Sequence, residues 1–134
     1  MPANLRTFVA YEASTVVLLA RLQLASGAYP QADDIVGLEI AVKVFNAQTE
    51  EETYSATYAE GSSETPDLVV SDTLKTDRGW TETMDATGYN LAVVLPPSAI
   101  PDGSSNYQAE VIITQGDHVI PIAWKINTID LLSI

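Results

Sequence analysis

The chain has 134 residues and no cysteine, and its six basic residues against eighteen acidic ones give a net charge of −12. That length suits a single domain, residues 1–134, large enough to bury a core without staples, and the missing cysteines exclude disulfides, thiolate catalysis and cysteine-based zinc sites. The negative field repels phosphate backbones and anionic membranes, and the basic residues (Arg6, Arg21, Lys43, Lys75, Arg78 and Lys125) are scattered, so neither nucleic acid nor membrane is expected as a partner.

The opening stretch "MPANLRTFVAYEASTVVLLARLQLASGA" resembles a signal peptide in outline. Glu12 and Arg21 interrupt it, however, and its longest clean apolar run, Val16 to Ala20, is too short for an h-region. Leu5 to Ala25 is rich in Ala and Leu, which admits a helix. The β-branched Thr7, Val9, Thr15, Val16 and Val17, and the alternation of Leu18, Ala20, Leu22 and Leu24 with Arg21 and Gln23, predict strands instead. A turn cluster, "SGAYPQADD", follows.

The clearest period-2 run is "LEIAVKVF", with Leu38, Ile40, Val42 and Val44 on one face. The most polar segment, Gln48 to Asp67, is expected to be an exposed hairpin or a mobile loop around the weak run "TYSATYA". A further weak strand, "DLVVSDTL", precedes turns at "TDRGW" and "DATG". "YNLAVVL" then aligns Tyr89, Leu91, Val93 and Leu95, and "YQAEVIIT" aligns Tyr107, Ala109, Val111 and Ile113. "TQGDH" reads as a tight hairpin into "VIPIAWKI", where Ile120, Ile122, Trp124 and Ile126 share a face. Pro121 cannot donate to a ladder, so this run should be an edge strand or carry a bulge. In all, about eight strands at this spacing predict an all-β, antiparallel sandwich.

Catalytic chemistry is not expected. His118, the only histidine, could serve as a base, but no serine elbow or cysteine accompanies it. "DGSSN" (Asp102, Ser104, Asn106) offers oxygen ligands without the full calcium-loop pattern, and Asp33–Asp34 and Glu50–Glu52 read as solvated charge. No metal, cofactor or catalytic residue is therefore assigned.

Two surface features remain. Trp80, Tyr54 and Tyr58 lie in or near polar segments, and Tyr54 and Tyr58, four apart, share a strand face, so they could form a stacking platform for a carbohydrate. "TVVLLA" is apolar on both faces and the chain ends "IDLLSI". That surplus makes Val16, Val17, Leu18, Leu19, Leu131, Leu132 and Ile134 candidate subunit contacts.

"IPDGSSNYQAEVII" resembles the approach to the penultimate strand of immunoglobulin-like (Ig-like) domains. The resemblance implies a tyrosine corner at Tyr107 and puts Ala109 where the disulfide cysteine usually stands. The longer stretch from Trp80 to Ile126 is similar to small β-sandwich domains of tailed-phage virion proteins, especially tail and baseplate adaptors. It implies a non-enzymatic structural protein of the virion, assembled in the host cytoplasm, on the capsid as a decoration or in the tail. Its partners would be other copies of itself, as a homo-oligomer, and other virion proteins. The alternative is a carbohydrate-binding or adhesion module using the three aromatic residues.

Overall fold

The alternating runs form strands, and apolar residues on one side of each strand draw the strands into two facing sheets. A computed structural model describes residues 6–24, 26–58, 64–65, 67–75 and 88–131. The strands are β1 (Arg6–Tyr11), β2 (Val16–Ala20), β3 (Glu39–Asn46), β4 (Glu52–Tyr58), β5 (Glu64–Thr65), β6 (Leu68–Lys75), β7 (Tyr89–Leu95), β8 (Asn106–Gln115) and β9 (His118–Ile129). One sheet has the order β1-β9-β8-β3-β4 and the other β2-β7-β6-β5. Consecutive strands are thus divided between two sheets in the arrangement of an Ig-like sandwich.

The core lies between the sheets. Ile40, Val42 and Val44 of β3, Val111 and Ile113 of β8, and Ile122 and Ile126 of β9 meet Val16 and Leu18 of β2, Leu91, Val93 and Leu95 of β7, and Leu68 and Val70 of β6 in one buried cluster. Each such side chain contributes roughly 1.5–3 kcal/mol through its removal from water. In the middle of the larger sheet, Ala109 is flanked by Val44 of β3 and by Trp124 of β9. Both Ala109 and Trp124 are buried. A methyl group between two large neighbours leaves room for the indole, so the tryptophan of this core stands on the last strand and not on β3.

Tyr107 closes the loop before β8. Its hydroxyl accepts a hydrogen bond from the Asp102 backbone N–H at 3.0 Å, which is the tyrosine corner the sequence suggests. At the other end of the sandwich, β2 stops at Ala20, and a buried side chain continues its pairing. The Asn90 carboxamide accepts from the Leu22 N–H at 2.6 Å and donates to the Leu22 carbonyl at 2.9 Å. Asn90 thereby satisfies two backbone groups that would otherwise be buried without partners.

Several expectations change. There are nine strands among the described residues, and β1 runs parallel to β9, so the sandwich is not wholly antiparallel. Because β1 and β2 belong to different sheets, β1 cannot form a hairpin with its sequence neighbour and instead pairs with the last strand. Among its described residues the polar segment is not one hairpin: β4 pairs with β3, while β5 joins β6 in the opposite sheet. The turn cluster after β2 holds one helical turn, α1 (Ala32–Ile35), whose capping box includes a bond from the Gln31 N–H to the Asp34 carboxylate at 2.9 Å.

Other expectations hold. Within the stretch from Leu5 to Ala25, the regular structure among the described residues is strand, β1 and β2. Gly116, with φ +57°, opens the two-residue β8–β9 turn, a position that favours glycine in a type II′ hairpin. The expectation for the run around Pro121 holds only in part: β9 lies between β1 and β8 and its register with β8 carries no bulge, but β1 joins it only from Trp124 on, so the part with Pro121 borders β8 alone among the described residues.

Two substitutions check this account by thermal or denaturant unfolding. Asn90→Ala should cost about 1–3 kcal/mol for each Leu22 backbone group left without a partner. Ala109→Leu should cost about 1–3 kcal/mol by overpacking against Val44 and Trp124. An unfolding free energy unchanged in either variant would contradict the packing described.

Candidate interaction surface

The large apolar residues that remain in water are concentrated in one place. Among the described residues six are exposed: Phe8, Val9, Tyr11, Val36, Val119 and Ile129. Three of these belong to β1, and Ile129 is the register partner of Tyr11 on β9. Val9 and Tyr11 are 59% and 55% exposed, too open to count as the rim of the core. Strand β1 is an outermost strand of the larger sheet. It contains no proline and no lysine, and its register with β9 is unbroken by a bulge, so it lacks the usual devices that blunt a free edge.

The direction of its backbone groups follows from one bond. The Glu12 N–H donates to the Ile129 carbonyl at 3.0 Å. Since N–H and C=O of one residue point the same way in a strand, the even-numbered residues of this stretch address β9. Thr7, Val9 and Tyr11 therefore turn theirs to the open side. The side chains alternate as well: Ala10 packs on the core, while Val9 and Tyr11 share the outer face with Asn127 and Ile129.

The far end of β1 is anchored. The Glu12 carboxylate accepts from the Leu131 N–H at 2.9 Å, and Ser104 donates its hydroxyl to Asp130 at 2.7 Å. Gly103 lies between these carboxylates, and a Cβ there would collide with Asp130 and crowd Glu12. Within "DGSSN" the Ser104 hydroxyl is bonded to Asp130, and the Asp102 backbone carbonyl accepts from the Thr128 hydroxyl.

The interface expected from "TVVLLA" is corrected by burial. Val16 and Leu18 lie in the central core and Leu19 is buried on the opposite face, so no partner can reach them. Leu19 gathers with Tyr89 and Ala92, and Val17 and Val69 pack against them. The double-faced apolarity of β2 therefore serves two clusters within the chain. Leu131 is half-buried beside Glu12, whereas Leu132 and Ile134 lie outside the described residues.

The proposed stacking platform divides similarly. Tyr54 and Tyr58 are opposite Val44 and Ile40 and lean on the core, half-buried, leaving no pair of open ring faces. The Tyr58 hydroxyl donates to the Asp67 carboxylate at 2.7 Å, a link from β4 toward the other sheet. Trp80 lies outside the described residues. His118 is exposed, facing Gln115 across the hairpin. Two shallow depressions lie on the larger sheet, one over Ala41, Thr57 and Ile112 and one over Phe45, Gln108 and Glu110; neither includes His118. Among the described residues no three His, Asp or Glu side chains converge as metal ligands.

No family model matches the chain, and no curated protein matches it in sequence. Among solved structures it is similar to extracellular domains 3–5 of Drosophila OTK, with 11% identity and a TM-score of 0.36, covering 98% of this chain and 37% of that one. The chain therefore spans little more than a third of that structure's length. The strand order and the tyrosine corner identify the Ig-like sandwich.

Burial, then the Asp67 carboxylate, pushes the Tyr58 hydroxyl well above its usual pKa of 10.0, and burial also raises that of Tyr107. Raised tyrosine values mean that the folded protein holds protons the unfolded chain releases above about pH 10. The stabilisation is complete below that pH and is lost as pH rises toward the folded values. Melting temperature should therefore fall as pH rises above about 10, and Tyr58→Phe should flatten that fall. An equally steep fall in the variant would contradict the assignment.

Proposed function

We propose that this domain is a non-enzymatic assembly module, a structural protein of a tailed-phage virion that works by packing against neighbouring subunits. The observation that carries the reading is the open β1 edge, where four of the six exposed large apolar residues gather. A sheet edge of that kind offers both hydrogen bonds and apolar contact to another chain. The chemistry-bearing side chains do not gather in the same way: the lone histidine stands on a hairpin, Asp34 serves a helix cap, Glu12 and Asp130 serve loops, and Glu52 and Glu110 pair with neighbours on their sheet.

The virion assignment rests on the likeness of the stretch from Trp80 to Ile126 to phage tail and baseplate sandwiches. The net charge of −12 favours an outward position on capsid or tail over one lining the genome, where basic side chains would neutralise phosphate. The carbohydrate reading loses its strongest support because Tyr54 and Tyr58 rest on the core.

The test is to purify particles of the phage that encodes this chain and to label them with antibody against it. Gold label in many copies on the capsid surface or tail is expected, together with no retention on a glycan array. Absence of the polypeptide from particles by mass spectrometry would sink the virion assignment.

A further inference from the structure

The β1 stretch is complementary to itself. Its sequence from Arg6 to Glu12 is RTFVAYE, with one positive charge at the first position, one negative charge at the last and only uncharged residues between. Val9 is the midpoint. If two copies run antiparallel about a two-fold axis at Val9, position 6 of each stands across from position 12 of the other. Thr7 then faces Tyr11, Phe8 faces Ala10, and Val9 faces itself.

The backbone selects the same centre independently. Only a residue with N–H and C=O on the open side can sit on a two-fold axis as a hydrogen-bonded pair. Thr7, Val9 and Tyr11 meet that condition, by the phase that the Glu12–Ile129 bond sets. Of the three, Val9 gives the longest overlap and lets all three exchange bonds with the second copy. The side chains agree: Phe8, 37% exposed on the inner side, would be covered by the partner's Ala10, and Val9 and Tyr11 would be covered on the outer side.

We infer that β1 is a homodimer edge, at which a second copy of this chain pairs antiparallel about Val9 to join two five-stranded sheets into one. This rests on the assembly reading and names its first partner. Two copies that each carry −12 repel at long range, so the pairing is best seen at or above about 0.15 M salt, where that repulsion is screened beyond roughly 8 Å.

The experiment is sedimentation equilibrium on the full chain across a concentration series. The mass is expected to rise from the 14.4 kDa of one chain toward twice that value. Val9→Pro removes only an outward N–H, as edge positions tolerate, and should leave the melting temperature near native while abolishing the dimer. Arg6→Glu places like charges across the pairing, opposite position 12 of the second copy, leaves the Glu12–Leu131 anchor in place and should weaken association about tenfold.

A chain that stays monomeric up to about 1 mM overturns the inference. So does a dimer that survives Val9→Pro, or one that Arg6→Glu does not weaken. In those cases labelled particles would still uphold the assembly reading, whereas unlabelled particles would remove the virion assignment and leave the dimer measurement standing alone.

Discussion

Burial of every second residue of β8 is the constraint on which the rest of the structure depends. Tyr107, Ala109, Val111 and Ile113 are each at most 1% exposed, and β8 has a strand on both sides. A slip of one residue would drive Gln108, Glu110 and Thr114 into the interior, which the low dielectric there forbids. That register places Trp124 and Val44 on either side of Ala109, sets the hairpin at Gly116, and brings Tyr107 under the Asp102 loop. With β9 so fixed, β1 lies along its outer side.

This dependence explains what was legible in the sequence. Strands with one wet and one dry face announce themselves by alternation, so β3, β8 and β9 could be read residue by residue, whereas β7 is buried on both faces. The tyrosine corner could be read too, because an Asp-led loop before a Tyr-led strand is a local pattern. Strand order is not local. That β4 crosses away from β5, or that β1 lies parallel to β9, is decided by contacts between distant parts of the chain, and no periodicity encodes it. Asn90 illustrates the same limit: a polar residue in an apolar strand shows its purpose only when Leu22 lies beside it.

The surface was harder to read than the core for a related reason. An apolar run such as "TVVLLA" looks the same whether its second face meets a partner or meets Ala92 and Tyr89 of the same chain. Conversely, Phe8, Val9 and Tyr11 resemble an ordinary strand until the topology puts them at an edge with no further strand beside it among the described residues. What distinguishes a contact surface from an interior is the position of the neighbouring strands. Here that position leaves a continuous row of backbone groups and apolar side chains along one margin, while charged residues occupy loops and outer faces, where they keep the rest of the molecule soluble.

The parallel pairing of β1 with β9 has a mechanical side. Six residues of β1, from Arg6 to Tyr11, lie alongside six of β9, from Trp124 to Ile129, and both strands point the same way. The chain therefore enters this pair at one pole of the sandwich and leaves it at the other. Tension applied to the two outer ends slides the strands past each other, loading the ladder in shear, so its bonds share the force and must yield together. A hairpin pulled at its open end would instead unzip one bond at a time. A domain with this geometry can hold its shape when its two ends are pulled apart.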